Sequence, residues 1–500
     1  MTGLSIESPT DTSAGYSFAD SRWFRAFAYS TVALFCATLA WSGLKTKFAV
    51  DDMMNLNYYW RQGIWNVLWN NIRFWTTEYR PAGGFFYLPV YSIFGLDPLP
   101  YRATILAFVV ANAALGCVTA ELLTGSTAAA VVTGMIAGAH GAMPDLYFVN
   151  SDVYDILAYF CMQLVLIGYI SERNRGEIPR TGRSMWLTFA LITALNAKEI
   201  SAGIAGFVLA YEVLYHGLPK FADVPRWLRN EGRIPALFVA ITGVYLAGKL
   251  LFPNPSLDTP AYRIEVTAAR YIHNNGEYLQ KMLYAKWRED GWLFAAMAVL
   301  LALLLFARRA PAVRWAAWYG LTATIPISFI PERGGSSLYV PMYGWALMAG
   351  ITAGAIIRGL SALLLPGPAV RFRAAGQVAL AGALAVWIGS LERAGWDRWV
   401  PNYYNSREQI TYRMIQQLQA SSYRPAHGRS ILILDDPFGE YDTQFMAELV
   451  WNDPSVKVKL GHKFSEPPNE AIQAQFDDIV TFENGEFQVI RTSTSASRRP

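Results

Sequence analysis

Long apolar runs alternate with short polar breaks along this chain, and the runs have lengths that match a bilayer. A helix needs roughly 20 predominantly apolar residues to cross one. Runs of this kind fall near 26–44, 101–123, 126–144, 153–171, 185–197, 200–216, 234–252, 291–307, 313–330, 337–357 and 374–391. The pattern predicts a polytopic α-helical membrane protein with about eleven transmembrane helices. No small-residue cleavage site clearly ends the first run, so it reads as an uncleaved anchor. The stretch 81–96, PAGGFFYLPVYSIFGL, is also apolar, but it is short and broken by Pro89 and a pair of glycines. It is expected to lie at the membrane interface. The run 184–217 is interrupted by "NAKE" and is expected to form a hairpin of two short spans.

Those two choices set the topology. With them, the basic loops share one side: Arg22 and Arg25, then Arg173, Arg175, Arg180 and Arg183, then Lys220, Arg226, Arg229 and Arg233, then Arg308, Arg309 and Arg314, and finally Arg358, Arg371 and Arg373. The opposite short loops, 144–152 and 331–336, carry one Arg between them. Excess Lys and Arg marks the cytoplasmic side. The N-terminus is therefore expected to be cytoplasmic, with the loop 45–100 and the tail beyond about 392 exoplasmic.

The tail has a different pattern. SILILDDPF reads as a buried strand, QFMAELVW has helical spacing, and VKVKL alternates. DIVTFENGEFQVI reads as a hairpin whose Asn484–Gly485 suits a type I′ turn. Three units follow: a disordered cytoplasmic N-terminus over 1–21, a transmembrane domain over 22–391, and an exoplasmic α/β domain with a disordered tail over 392–500.

Composition agrees with a membrane protein. The 500 residues are 53% hydrophobic and 16% charged, where a soluble domain carries about a quarter charged residues. Mean hydropathy is +0.20. Seventeen Trp and 27 Tyr suit the two membrane–water interfaces. Cys36, Cys117 and Cys161 lie inside apolar runs and read as packing residues. The five His are scattered, with none at metal-ligand spacing. No phosphate-cradling glycine loop or nucleophile elbow occurs. Intramembrane charges are too few for a proton-coupled transporter.

The candidate chemistry lies in the exoplasmic breaks. Asp51 and Asp52 sit among Phe48, Met53, Met54, Tyr58, Tyr59 and Trp60. Paired acids in a partly dry site raise one pKa, which suits a general base; a solvated pair at a membrane surface also fits. Arg80, at the mouth of the interfacial segment, suits a phosphate headgroup or snorkelling to lipid. Lys198 and Glu199 form the apex of the short hairpin, either as functional groups or as a neutralising pair. Asp145, Asp152 and Asp155 crowd a helix start, where acids are also favoured electrostatically. Arg333 is the lone cation of a short turn.

The order of these motifs resembles the membrane glycosyltransferases of the GT-C fold, notably the protein O-mannosyltransferases and the lipid A aminoarabinose transferases. The residues that carry the likeness are DDMMN (51–55), YRP (79–81), IFG (93–95), Arg102, KE (198–199) and ERGGSSLYVP (332–341). It covers roughly the first 350 residues, with a Gly-Gly-Ser-Ser insertion in its last motif. The resemblance implies a polyprenyl-phosphate-linked sugar donor and an inverting transfer. Asp51 would be the general base, and Asp52 would support it or bind acceptor. Arg80 would hold the donor phosphate, with Lys198 or Arg333 helping to neutralise the leaving group. Glu199, Asp152, Tyr58 and Tyr79 are candidates for holding acceptor or other substrate groups.

The resemblance implies no required cofactor; the acid pair leaves a divalent metal open, with no metal ligands assigned. The expected partners are the lipid-linked donor, membrane lipid, and an acceptor glycan, lipid or protein, with no nucleic acid. A bacterial inner or plasma membrane is the expected location. A non-catalytic membrane scaffold, or a lipid or sugar transporter of the same fold, is the alternative.

Overall fold

The computed structural model describes residues 22–76, 78–252, 260, 263–284, 291–365, 373–398, 407–438 and 442–492. The expected disordered ends, 1–21 and 493–500, lie outside the described residues.

The chain is mostly helical. Helix α1 (Arg22–Ala40) continues into a 3-10 turn (Trp41–Lys45). Then come α2 (Val50–Ile72), α3 (Gly84–Phe94), α4 (Pro98–Thr124), α5 (Thr127–Ala139), the single-turn α6 (Asp145–Phe148) and α7 (Val153–Asn174). Helix α8 (Thr181–Ala197) and α9 (Gly203–Tyr211) flank the Lys198–Glu199 break, and α9 ends in a π turn (Glu212–His216). The remaining membrane-domain helices are α10 (Val224–Arg229), α11 (Arg233–Leu251), α12 (Ala268–Met282), α13 (Gly291–Phe306), α14 (Pro311–Thr322), α15 (Tyr339–Leu364) and α16 (Arg373–Asp397).

Among the described residues, six helices are long and apolar enough to cross a membrane: Arg22–Lys45, Pro98–Thr124, Asn150–Asn174, Arg233–Leu251, Gly335–Leu364 and Ala375–Asp397. They mark the chain as an integral membrane protein. Thr127–Ala139 and Gly291–Phe306 are apolar but shorter. The other expected spans, 185–197, 200–216 and 313–330, fall on α8, α9 and α14, each under 18 residues.

Local chemistry fixes the ends that matter. Asp97 caps α4 by accepting the Leu99 N–H at 3.1 Å, with Pro98 and Pro100 beginning the helix. Gly125 closes it in the left-handed region at φ +66°. In α2 the helix is interrupted at Gly63, with φ +72° and ψ +165°, a conformation glycine adopts without steric cost.

The C-terminal segment comprises α17 (Arg407–Ala420), β1 (Ser430–Ile433), α18 (Asp442–Trp451), β2 (Lys457–Leu460), the single-turn α19 (Glu470–Gln473), β3 (Asp478–Thr481) and β4 (Gln488–Thr492). Its sheet has the order β2-β1-β3-β4, with β1 parallel to β2 and β3, and β4 antiparallel to β3. The apolar run of β1 is buried at Ile431, Leu432 and Ile433, and VKVKL alternates between exposed and buried in β2. The expected two-residue turn at Asn484–Gly485 is replaced by a longer connection. A 3-10 turn spans Glu483–Gly485, and only Gly485 takes a positive φ there, +80°. A type I′ turn needs positive φ at both central residues.

Candidate active site

The first turn of α2 carries both acids of the DD pair and separates them. Asp51 is exposed. Asp52 is fully buried, and its Oδ2 accepts the Ala49 N–H at 2.7 Å and the Asn150 Nδ2 at 3.1 Å. The Ala49 bond satisfies a free N–H at the helix start. Asp52 Oδ1 is buried without a hydrogen-bond partner among the described residues. Burial pushes the Asp52 carboxyl up to about 6, and the nearby Arg102 guanidinium and the Ala49 N–H hold it from going higher. Arg102 is itself buried and donates through Nη2 to the Lys47 carbonyl at 2.6 Å.

Two turns along α2, a pair of tyrosines meets the YRP motif. Tyr58 donates to Glu78 Oε2 at 2.6 Å, and Tyr59 donates to the Arg80 carbonyl at 2.7 Å. Arg80 is one of few non-glycine residues in the left-handed region, with φ +42° and ψ +57°. Its guanidinium lies 4.7 Å from the Tyr79 ring centre and 5.1 Å from that of Tyr154, within cation–π range. Its Nη2 is 3.4 Å from Glu199 Oε2. Backbone strain at such a residue marks a site whose surroundings over-determine it.

The KE break contributes its two charges in different directions. Lys198 is paired with the buried Asp155 of α7. Glu199 faces Arg80 and lies in the field of Lys249, from the end of α11. Lys249 Nζ also donates to the Glu78 carbonyl at 3.0 Å.

One stretch unites these motifs. Over NSDVYD, 150–155, Asn150 bonds Asp52, Tyr154 shares a 3.0 Å hydroxyl–hydroxyl bond with Tyr59 and stacks on Arg80, and Asp155 pairs with Lys198. Asp152 lies beside Asp155, Asp145, Lys198 and Ser336. Ser336 belongs to the turn that carries Arg333, and Gly335 there leaves no room for a Cβ against the Ala142 carbonyl, 2.1 Å away. The Arg333 N–H points at the Tyr278 hydroxyl, 3.4 Å off. Thus Asp52, Tyr58, Tyr79, Arg80, Asp152, Lys198 and Glu199 are linked through one set of contacts centred on 150–155, Asp51 is exposed on the same helix turn as Asp52, and Arg333 lies in the turn that carries Ser336.

Sequence reasoning missed Tyr59, Asn150, Tyr154 and Lys249. Lys249 had a usable signal, since an ionisable residue within an apolar span is a functional candidate by default. The others are ordinary residue types whose role appears only in the fold. Among the described residues, no three His, Cys, Asp or Glu side chains are grouped to hold a metal ion.

No family model and no curated protein matches the sequence. Solved structures do match. The lipid A aminoarabinose transferase ArnT from Cupriavidus metallidurans, solved bound to undecaprenyl phosphate, is 11% identical with a TM-score of 0.52, over 88% of this chain and 86% of that one. An oligosaccharyltransferase from Archaeoglobus fulgidus, tethered to an acceptor peptide, is 11% identical with a TM-score of 0.49, over 87% of this chain and 64% of that one. At this identity the ArnT match speaks for the fold, and over most of its length the chain shares the GT-C architecture of membrane glycosyltransferases.

Proposed function

We propose that this protein transfers a sugar from a polyprenyl-phosphate-linked donor to an acceptor hydroxyl at the exoplasmic membrane surface, with inversion and with Asp51 as general base. The observation that carries this reading is the shared wall at 150–155, which ties the acid-bearing turn of α2 to the cations Arg80 and Lys198. An exposed carboxylate is open to a soluble or interfacial acceptor, and a half-buried arginine held between two aromatic rings suits a lipid phosphate.

In the proposed step, Asp51 takes the proton of the acceptor hydroxyl as that oxygen attacks the anomeric carbon. The bond between that carbon and the phosphate oxygen breaks, and polyprenyl phosphate leaves with the electron pair. Arg80 stabilises the charge developing on the leaving phosphate, aided by Lys249 and by Lys198 or Arg333. The Arg80–Glu199 contact is loose at 3.4 Å, so a phosphate oxygen competes well for the guanidinium. Glu199, Asp152, Tyr58 and Tyr79 line the same wall and are assigned to holding sugar or acceptor hydroxyls. The exoplasmic placement rests on the positive-inside bias of the loops.

The test is mass spectrometry of envelope glycans from cells with the wild-type chain, without it, and with Asp51→Asn. One hexose or pentose mass is expected to disappear in the last two. Wild-type glycans in the Asp51→Asn cells overturn the base, and unmodified substrate accumulating in vesicles without any glycosylated product favours a transporter.

A further inference from the structure

The C-terminal segment grips the helix that bears the acid pair. Glu448 of α18 is 1% exposed, and its Oε2 accepts from Asn57 Nδ2 at 2.8 Å, Arg61 Nε at 3.1 Å and Arg61 Nη2 at 2.7 Å. Around it, Trp60 Nε1 donates to Asn452 Oδ1 at 3.2 Å, and Tyr91 of α3 donates to the Leu449 carbonyl at 2.9 Å. Asn57, Trp60 and Arg61 lie on the same uninterrupted helical segment as Asp51 and Asp52, which ends at Gly63.

The same end of the segment is also held by Tyr58 and Tyr59, which donate to Glu78 Oε2 and to the Arg80 carbonyl. At Gly63 the helix is broken, and no atom comes within 4 Å of where a Cβ would stand. Across this break the second half of α2 is joined to the first by Asn66 and Asn70, which donate to the Gln62 carbonyl and Oε1. A cavity of about 890 Å³, lined by Trp60, Gly63, Ile64, Leu88, Tyr91 and Leu449 among others, adjoins this end. Side chains facing a void lack packing partners on that side. The buried Glu448 carboxylate joins Asn57 and Arg61 to the C-terminal segment, with Arg61 Nε and Nη2 both directed at the one oxygen Oε2, and charge-assisted bonds of this kind are stronger than neutral ones.

We infer that Glu448 is a positioning residue for the proposed transfer: the C-terminal segment, through the Glu448–Asn57–Arg61 latch, sets the angle of the α2 segment that presents Asp51. This inference rests on the proposed transfer for its kinetic half only. Arg80 meets this segment through its backbone carbonyl, which accepts from Tyr59, while its guanidinium is held by Tyr79, Tyr154 and Glu199, so donor-phosphate binding is expected to change little when the latch opens. Glu448→Gln keeps an acceptor for Asn57 and is expected to retain part of the function that Glu448→Ala loses.

The experiment uses the full chain in nanodiscs, with hydrogen exchange, undecaprenyl phosphate binding and envelope-glycan transfer measured side by side. For Glu448→Ala, amides of 50–62 are expected to exchange faster while those of 153–174 stay as in wild type. Transfer falls about tenfold or more, the scale on which a small misplacement of a reacting group acts. The Kd for undecaprenyl phosphate stays within about twofold, under half a kcal/mol. Arg61→Gln, which opens the latch from its more exposed side, is expected to reproduce the exchange and rate effects more weakly. Faster exchange at 50–62 with undiminished transfer overturns the positioning role, as does lost transfer with unchanged exchange. The exchange arm needs no substrate: if wild type itself transfers no sugar, the functional reading fails, while unchanged exchange in both variants overturns the latch.

Discussion

Asp51 and Asp52 are neighbours in sequence with opposite environments: Asp51 is exposed on the first turn of α2, while Asp52 is fully buried and bonded to the Ala49 N–H at 2.7 Å. Successive residues of a helix point about 100° apart, so one can face an acceptor while the other faces the interior. In the proposed transfer the pair therefore divides its work. Asp51→Asn is expected to lower transfer by about a hundredfold or more, the range for loss of a general base, with undecaprenyl phosphate binding retained. Asp52→Asn keeps an oxygen for the Ala49 N–H and is expected to lose less. Rates of product formation at matched protein levels separate the two, and an equal or larger loss in Asp52→Asn moves the base to Asp52.

The buried acid also sets a pH signature for stability. The ordinary value for Asp52 is 3.8, and burial, partly offset by Arg102, pushes it up to about 6. The folded chain thus keeps a proton that the unfolded chain has already released. The associated stability is full below 3.8 and is lost as pH rises through about 6. The gap corresponds to about 3 kcal/mol. Measured as thermal midpoints, wild type is expected to lose ground to Asp52→Asn between about pH 4 and pH 6.5, then run parallel to it. Taking the difference between the two proteins cancels titrations they share. A difference that stays flat across this range overturns the assignment.

Gly83 marks how tightly the wall is built. A Cβ there would stand 2.4 Å from Tyr154 Cε1 and 2.5 Å from the Tyr59 hydroxyl oxygen. Both rings are buried, so neither has room to withdraw. Gly83→Ala is expected to destabilise the protein by about 1–3 kcal/mol and to break the Tyr59–Tyr154 contact that aligns Arg80. Lower thermal stability together with weaker undecaprenyl phosphate binding checks this. Gly182→Ala serves as a control, because no atom lies within 4 Å of its Cβ position.

Much of this was legible in the sequence because membranes impose a simple rule: apolar runs must be helical and long enough. The runs that became α1, α4, α7, α11, α15 and α16 needed nothing more. The DD, YRP and KE motifs stood out because charge is costly in such surroundings. What the sequence did not reveal depends on phase and on distant contacts. Only the start of α2, placed by the Ala49–Asp52 bond, decides which acid is buried. The joining role of Asn150 and Tyr154 exists only once α7 lies beside α2. The latch from Glu448 to Arg61 links positions 387 residues apart, and no local pattern encodes it.

Arg80 offers a separation of strain from function. Its φ of +42° costs a non-glycine residue energy that glycine does not incur, while its side chain is the cation proposed to hold the donor phosphate. Arg80→Ala and Arg80→Gly both remove that side chain, so both are expected to weaken undecaprenyl phosphate binding by about tenfold or more, the loss of a charge-assisted hydrogen bond. They differ only in backbone freedom, and the glycine variant is expected to be more stable than the alanine variant by about 1 kcal/mol. Arg80→Lys keeps the charge but loses the planar stacking between Tyr79 and Tyr154, so its affinity should fall between wild type and alanine. Lys249→Met tests the second cation and is expected to weaken binding several-fold. Titration of undecaprenyl phosphate into nanodisc-embedded protein, with thermal midpoints on the same samples, reads both effects. Wild-type affinity in Arg80→Ala removes the arginine from the donor site, and equal midpoints for the alanine and glycine variants remove the strain.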